Sequence, residues 1–332
     1  MGKTKIEWTE RTWNPVRGCS RVSEGCRHCY AEQQAGRFSG PGKAYEGLVR
    51  AVQGKGFRWT GELRIVQEAL REPARWRDPA VVFVCSMSDL FHENLPFDRI
   101  DLVFEVMLRE NRHTYQVLTK RPKRMAEYVT DRFRAGNSLP GHIWLGTSVE
   151  DQARADERIP FLLQTQAPIR FVSAEPLLGA IDLTGWLGSW CPSCQRSLLG
   201  GQHFEGRACG TCHEQTRGLS WVIVGGESGH GARPMHPAWA RQIRDDCLAA
   251  GAAYFLKQWG NWAVCGPVVE DSGFVGGARF DSASGGQTAV AALSMQRFHR
   301  FEDGTIVERI GKKQAGRELD GQVWDQMPEV RP

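Results

Sequence analysis

No stretch of this chain approaches the roughly 18 consecutive apolar residues that a membrane-spanning helix requires, which argues against a membrane role. The opening MGKTKIEWTERTW carries charge but no apolar signal segment, so the expected location is cytoplasmic. A dinucleotide fingerprint is missing too: VGGES, at 224–228, lacks the GxGxxG spacing. Nor is there a strong charge of one sign. The net charge of +4 comes from 42 basic and 38 acidic residues, which permits a nucleic-acid partner without arguing for one. No internal repeat stands out beyond a strand–helix unit.

What the chain has is length and cysteine. Its 332 residues can bury a large core, and one barrel-sized domain with insertions fits better than several small units. The 10 cysteines are unevenly spread: Cys19, Cys26 and Cys29 share one loop, Cys191, Cys194, Cys209 and Cys212 form two CxxC pairs, and Cys85, Cys247 and Cys265 stand alone. In a reducing compartment such clusters are metal ligands sooner than disulfides, and the isolated cysteines read as ordinary buried residues.

From about 80 to 260 an apolar run, a polar loop and a helical stretch recur. The strand candidates are 81–86, 114–119, 142–148, 169–174, 221–226 and 252–257, near-continuously apolar as for strands covered on both faces. Ile100, Val103, Phe104, Met107 and Leu108 follow a helical period behind Asp98, a candidate N-cap. A second helix is expected from near Pro237 to Gly251, with Trp239, Ile243 and Cys247 on one stripe. The fold class is therefore α/β with parallel strands, either a doubly wound sheet or a closed or partial barrel. In both, chemistry gathers at the carboxyl ends of the strands.

Those ends carry Ser86–Asp89, Thr119–Arg121, Thr147–Glu150, Ser173–Glu175 and Gly225–Ser228, which together read as a ring around a polar ligand. The loop TWNPVRGCSRVSEGCRHCY spaces its cysteines Cx6CxxC. Three thiolates can hold three irons of a [4Fe-4S] cubane and leave the fourth open to a substrate. Zinc bound by the three cysteines and a histidine, His28 or a distant one, is the competing reading. Gly18 and Gly25 each precede a cysteine, where permissive φ angles help a tight loop. Tyr30 is placed to pack on the cluster or on an adenine.

With such an iron, S-adenosylmethionine is the expected cofactor. Ser86, Ser88 and Asp89 are candidates for its amino end, and Thr147, Ser148 and Glu150 for its ribose or carboxylate. Ser173 and Glu175 could meet ribose hydroxyls, while Gly225 and Gly226 would let backbone approach adenine. Glu227 is either an active-site carboxylate or a strand-end cap. Lys120 and Arg121 open the densest basic run; Arg233, Lys257 and Gln258 could face the same cavity. Trp259 is a stacking platform or core. The spacing Cys191-x2-Cys194-x14-Cys209-x2-Cys212 is that of a zinc ribbon inserted at 187–218, a segment too poor in apolar residues to fold without metal. Ribbons of this kind often face nucleic acid or protein. Residues 261–332 read as a polar extension packing over the barrel opening.

The ordered motifs TWNPVRGC, GCRHCYAE, LTKRPKRM, GTSVE, FVSAEPLLG, VIVGGESGHGARPMHPAW, FLKQWG and KKQAGRELDGQVWDQMP resemble the phage-associated three-Cys-motif family, divergent radical S-adenosylmethionine proteins distantly similar to spore photoproduct lyase. The resemblance runs from Ile6 to Pro328. It implies a partial TIM-like barrel of the radical SAM type, over 1–186 and 219–260, with the cluster loop after an early strand near Ile6–Thr12. The wider superfamily spaces its cysteines Cx3CxxC, and this chain departs at the first interval. The expectation is a radical enzyme acting on a nucleic acid or nucleotide, served by an electron donor such as flavodoxin or ferredoxin. The alternatives are a radical enzyme acting on a protein or small metabolite, and a non-catalytic zinc-stabilised binding module.

Overall fold

Seven short strands carry the architecture: β1 (Arg11–Trp13), β2 (Val81–Val84), β3 (Thr114–Thr119), β4 (Ile143–Ser148), β5 (Arg170–Ala174), β6 (Trp221–Gly225) and β7 (Ala253–Gln258). The computed structural model describes residues 4–133, 139–165, 167–188, 218–264 and 297–329, plus the backbone of a few two-residue strands between them. The seven lie in one sheet in chain order, every neighbour parallel. A doubly wound sheet reverses its order at a switch point, and this one never does. Right-handed crossovers in one direction put the helices on one face and curl the sheet into a half-barrel. The barrel alternative left open by the strand–helix alternation is thus the one realised, in partial form.

Period-two alternation divides the strands between two cores. Outward, Val82, Val84, Tyr115, Val117, Leu145, Val172, Val222 and Leu256 are buried against the helices. These are α2 (Phe97–Arg109), α3 (Pro122–Arg132), α4 (Gln152–Gln164) and α5 (Pro237–Ala250). Inward, Phe83, Trp144, Phe171, Trp221, Ile223 and Phe255 form a separate aromatic plug. Trp8, ahead of β1, completes it, 4.7 Å from Phe83 and edge-on to Trp221 at 6.2 Å. Each such buried side chain contributes about 1.5–3 kcal/mol, so the plug gives the half-barrel a solid floor.

The helix boundaries follow local chemistry with one correction. Pro96, not Asp98, occupies the N-cap of α2; Asp98 lies in the first turn, where its charge meets the positive end of the helix dipole. α5 begins at Pro237 and stops at Gly251, whose φ of 68° is left-handed.

The extension after β7 does something more specific than cover an opening. Leu256 N–H donates to the Trp324 carbonyl (2.9 Å) and Gln326 N–H to the Tyr254 carbonyl (3.2 Å), so the chain near 324–326 caps the exposed edge of β7. Lys312 pairs with Glu7 at 3.3 Å, joining this extension to the segment before β1. Trp262–Val264, Ile306–Arg309 and Phe298–Arg300 form a small antiparallel sheet beside it. In the expected ribbon, Cys194 and Cys212 lie outside the described residues, as does Cys265. Only the backbone of Cys191 and Cys209 is described, each in a short antiparallel pair. Among the described residues no helix is long and apolar enough to cross a membrane.

Candidate active site

Between β1 and β2 the chain makes a long excursion that becomes a cap over the carboxyl ends of the strands. Helix α1 (Tyr30–Arg37) packs on a hairpin, Val49–Val52 with Gly56–Trp59. Ala31, Ala35, Tyr45, Leu48 and Trp59 make a small core that Cys19 and Cys29 flank. Gly18 has φ +94°, and a Cβ there would overlap the Glu62 carbonyl, so only glycine fits before Cys19. Gly25 serves differently from what its position before Cys26 implies. It is needed for space, because a Cβ would overlap the Glu150 carboxylate. Cys26 closes a 3-10 turn and Cys29 is the N-cap of α1.

Burial pushes the Cys19 thiol up to about 12, helped by the Asp89 charge, and raises that of Cys29. Both are protonated at neutral pH in the metal-free chain, so metal loading must displace protons. Among the described residues, no group of three or more His, Cys, Asp or Glu side chains is arranged to hold a single metal ion.

Three carboxylate–arginine pairs at strand ends hold this loop. After β2, Asp89 accepts from Thr119 Oγ1 (2.6 Å), Phe91 N–H (3.0 Å), Lys120 N–H (3.1 Å) and Arg121 Nη1 (3.0 Å). Arg121 continues to Ser20 Oγ at 2.8 Å, beside Cys19. After β4, the fully buried Glu150 pairs with Arg158 at 3.0 Å and accepts from the Ser23 hydroxyl. After β6, Glu227 accepts from Arg233 Nη2 at 2.7 Å, and the same nitrogen donates to the Glu24 carbonyl at 3.0 Å. Asp89, Glu150, Glu227, Arg121 and Arg233 therefore position the cysteine loop. A carboxylate has about four acceptor sites, and those of Asp89 are all taken by protein donors.

A fourth pair does not reach the loop. Lys257 Nζ donates to Glu175 Oε2 at 3.2 Å, and Ser173 Oγ lies 3.4 Å from the same oxygen. Glu175 Oε1 is buried without a partner, and so is Gln258 Oε1. Gly225 lies between these side chains: it is registered with Gln258 across the sheet, and its missing Cβ leaves room for the Glu175 carboxylate. Gly226 approaches the Trp259 carbonyl in the same way. Both glycines thus make room for protein groups, where the sequence had pointed to adenine.

All of this surrounds one cavity of about 700 Å³, within the range of ligand pockets. Cys19, Cys26, Cys29 and Tyr30 line it, with Ser86, Ser88, Asp89, Lys120 and Arg121. Ser148, Ser173, Glu175, Gly226, Glu227, Lys257 and Gln258 belong to the same lining. Thr147 points outward and donates to the Thr119 carbonyl at 2.9 Å. Trp259 is core, its indole N–H donating to the Glu318 carbonyl at 2.7 Å. His28, weighed in the sequence as a zinc ligand, lies in the wall, and sequence reasoning missed Thr12, Asn14, Cys85 and Lys312 as wall residues. Asn14 Oδ1 accepts the Met87 N–H at 3.0 Å and ties the end of β1 to the end of β2, a contact 73 residues apart that no local pattern marks. Cys85 closes β2 with φ +59°, a conformation unusual outside glycine.

Fold and site define a half-barrel protein with a cysteine-bearing cap over a polar cavity. The chain belongs to the family described as "Protein of unknown function (DUF5131)", whose model matches residues 3–328. Comparison with curated proteins and with solved structures gave no match.

Proposed function

We propose that this chain is a radical S-adenosylmethionine enzyme, of the radical SAM type of partial barrel, whose substrate is a nucleic acid or nucleotide. The observation that carries the reading is the shared wall: Cys19, Cys26 and Cys29 border the same cavity as Ser173, Glu175, Lys257 and Gln258, at the carboxyl ends of parallel strands. The donor set fits a [4Fe-4S] cluster, because each thiolate can take its own iron and no fourth protein ligand is required. A lone zinc ion would need a fourth donor converging with the three thiolates. When bound, the cluster would supply the electron that cleaves the sulfonium C–S bond of S-adenosylmethionine, so a donor such as flavodoxin or ferredoxin is required.

The chain's own residues have separable tasks. Asp89–Arg121, Glu150–Arg158 and Glu227–Arg233 keep the cysteine loop seated, the Trp8 plug closes the floor against water, and Glu175, Lys257 and Gln258 line the cavity wall, with Glu175 Oε1 and Gln258 Oε1 left without a hydrogen-bond partner. The four cysteines at 191, 194, 209 and 212 are assigned a structural zinc.

The test is electron paramagnetic resonance on anaerobically reconstituted, dithionite-reduced protein, with and without S-adenosylmethionine. A [4Fe-4S]⁺ signal that changes on adding the cofactor and is lost in Cys26→Ala supports the reading. No cluster signal, with zinc near two per chain, would overturn it in favour of a binding module.

A further inference from the structure

The chain's charge is unevenly placed. Residues 11–64, which run from β1 through the cap, contain ten Lys and Arg against four Glu, a net of +6 where the whole chain has +4; the remainder is therefore −2. Arg27, Arg37, Lys43, Arg50, Lys55 and Arg64 of this segment are all exposed. The segment's one wholly buried acid, Glu32, is neutralised from within by Arg21 and Arg58. The cap also bears exposed aromatic surface. Tyr30 is 56% and Phe38 53% exposed, and among the described residues the exposed large hydrophobics outside this segment are all aliphatic. Tyr30 begins α1 and Phe38 is its C-cap, so the two rings stand at opposite ends of one helix. Tyr30 also lines the cavity.

From this combination we propose that the cap is a docking surface for single-stranded nucleic acid, its basic hairpin and loops taking phosphates and the Phe38 and Tyr30 rings stacking bases on a path into the cavity. A cationic surface alone would accept any polyanion. Aromatic faces exposed beside it favour a strand whose bases are free to stack, and that is also the form in which a base can enter a cavity for chemistry. The docking surface deepens the nucleic-acid reading above and rests on it for the identity of the substrate. Docking itself does not depend on the cluster.

The experiment is fluorescence anisotropy of the full chain with a labelled 20-nucleotide oligothymidine and a mixed-sequence duplex of equal length, across a salt series. The expected result is tighter binding of the single strand, with log affinity falling linearly with log salt. Arg50→Gln with Lys55→Gln, on the exposed hairpin, should flatten that slope by about 1.4. Phe38→Ala should weaken single-strand binding about tenfold and leave the slope unchanged. Cys26→Ala should bind like the parent, separating docking from chemistry. Equal affinity for duplex and single strand, or indifference to the hairpin substitutions, overturns the proposal. A parent protein with a cofactor-responsive cluster and no oligonucleotide binding at low salt overturns docking alone and leaves the radical reading standing.

Discussion

Lys257 Nζ lies 3.2 Å from Glu175 Oε2, while the second oxygen of that carboxylate is buried with no partner at all. An unsatisfied buried acceptor costs about 1–3 kcal/mol, and beside a cavity it is a place where a water, ion or ligand can recover that cost. The other three carboxylates at the strand ends are engaged with the cysteine loop. Glu175 is the one left with capacity to spare.

Glu175→Gln keeps the shape and removes the charge. We expect binding of S-adenosylmethionine, and turnover at limiting cofactor, to fall about tenfold or more, in line with the roughly 1.5–3 kcal/mol of a hydrogen bond to a charged group. Iron content per chain and thermal midpoint should stay near those of the parent. Unchanged turnover would remove the Glu175–Lys257 pair from the chemistry.

Arg121→Met tests the frame. It leaves Asp89 buried with its cationic partner gone and frees Ser20, in the cysteine loop, from Arg121. Breaking a buried pair from one side costs about 3–5 kcal/mol. Denaturant unfolding should therefore show a lower midpoint, accompanied by reduced iron loading. A stability loss with normal iron loading would mean that the Ser20 contact does not seat Cys19.

The strands were legible because each is buried on both faces and reads as a continuous apolar run; 114–119 matches β3 residue for residue. Their order was not legible, since doubly wound sheets and barrels share the same alternation of strand and helix. β1 is only three residues long, too short for periodicity to register. The cavity wall could be read from strand ends, but the roles within it could not. Asp89, Glu150 and Glu227 looked like ligand contacts because their partners, Arg121, Arg158 and Arg233, are 32, 8 and 6 residues away. Arg158 in particular sits mid-helix, where sequence gives no hint that it turns inward and is 2% exposed. Trp8 is the starkest case: nothing local marks it as the residue that fills the half-barrel.

Gly25→Ala asks whether the cysteine loop is seated on β4. The added methyl group must displace Glu150, which cannot retreat without uncoupling from the buried Arg158. The loop should lift instead, giving a severalfold loss of reconstituted iron with far-ultraviolet circular dichroism unchanged. Iron loading equal to the parent would place the loop elsewhere than against Glu150.

The extension that caps β7 should come away in acid. Asp320 is held down to about 2, first by its hydrogen bonds with Arg241 and Arg244, against an ordinary value of 3.8. A depressed carboxylate contributes stability above its unfolded value and loses it as pH falls through the folded one. The contribution is therefore complete above pH 3.8 and lost progressively towards pH 2. Asp320 is partly exposed, which makes the effect local and sensitive to salt. Glu318–Leu319 pairs antiparallel with Gln322–Val323 around Asp320. Arg244 also lies over the Trp324 ring at 5.4 Å, and Trp324 donates its indole N–H to the Leu319 carbonyl at 3.3 Å, so the indole reports on this short hairpin. With Trp324→Phe as the reference that isolates this signal, tryptophan emission should shift between pH 4 and 2 ahead of global unfolding. Asp320→Asn should remove that early step, because a neutral side chain has no proton to gain. An early step that survives Asp320→Asn would assign the acid sensitivity to another carboxylate.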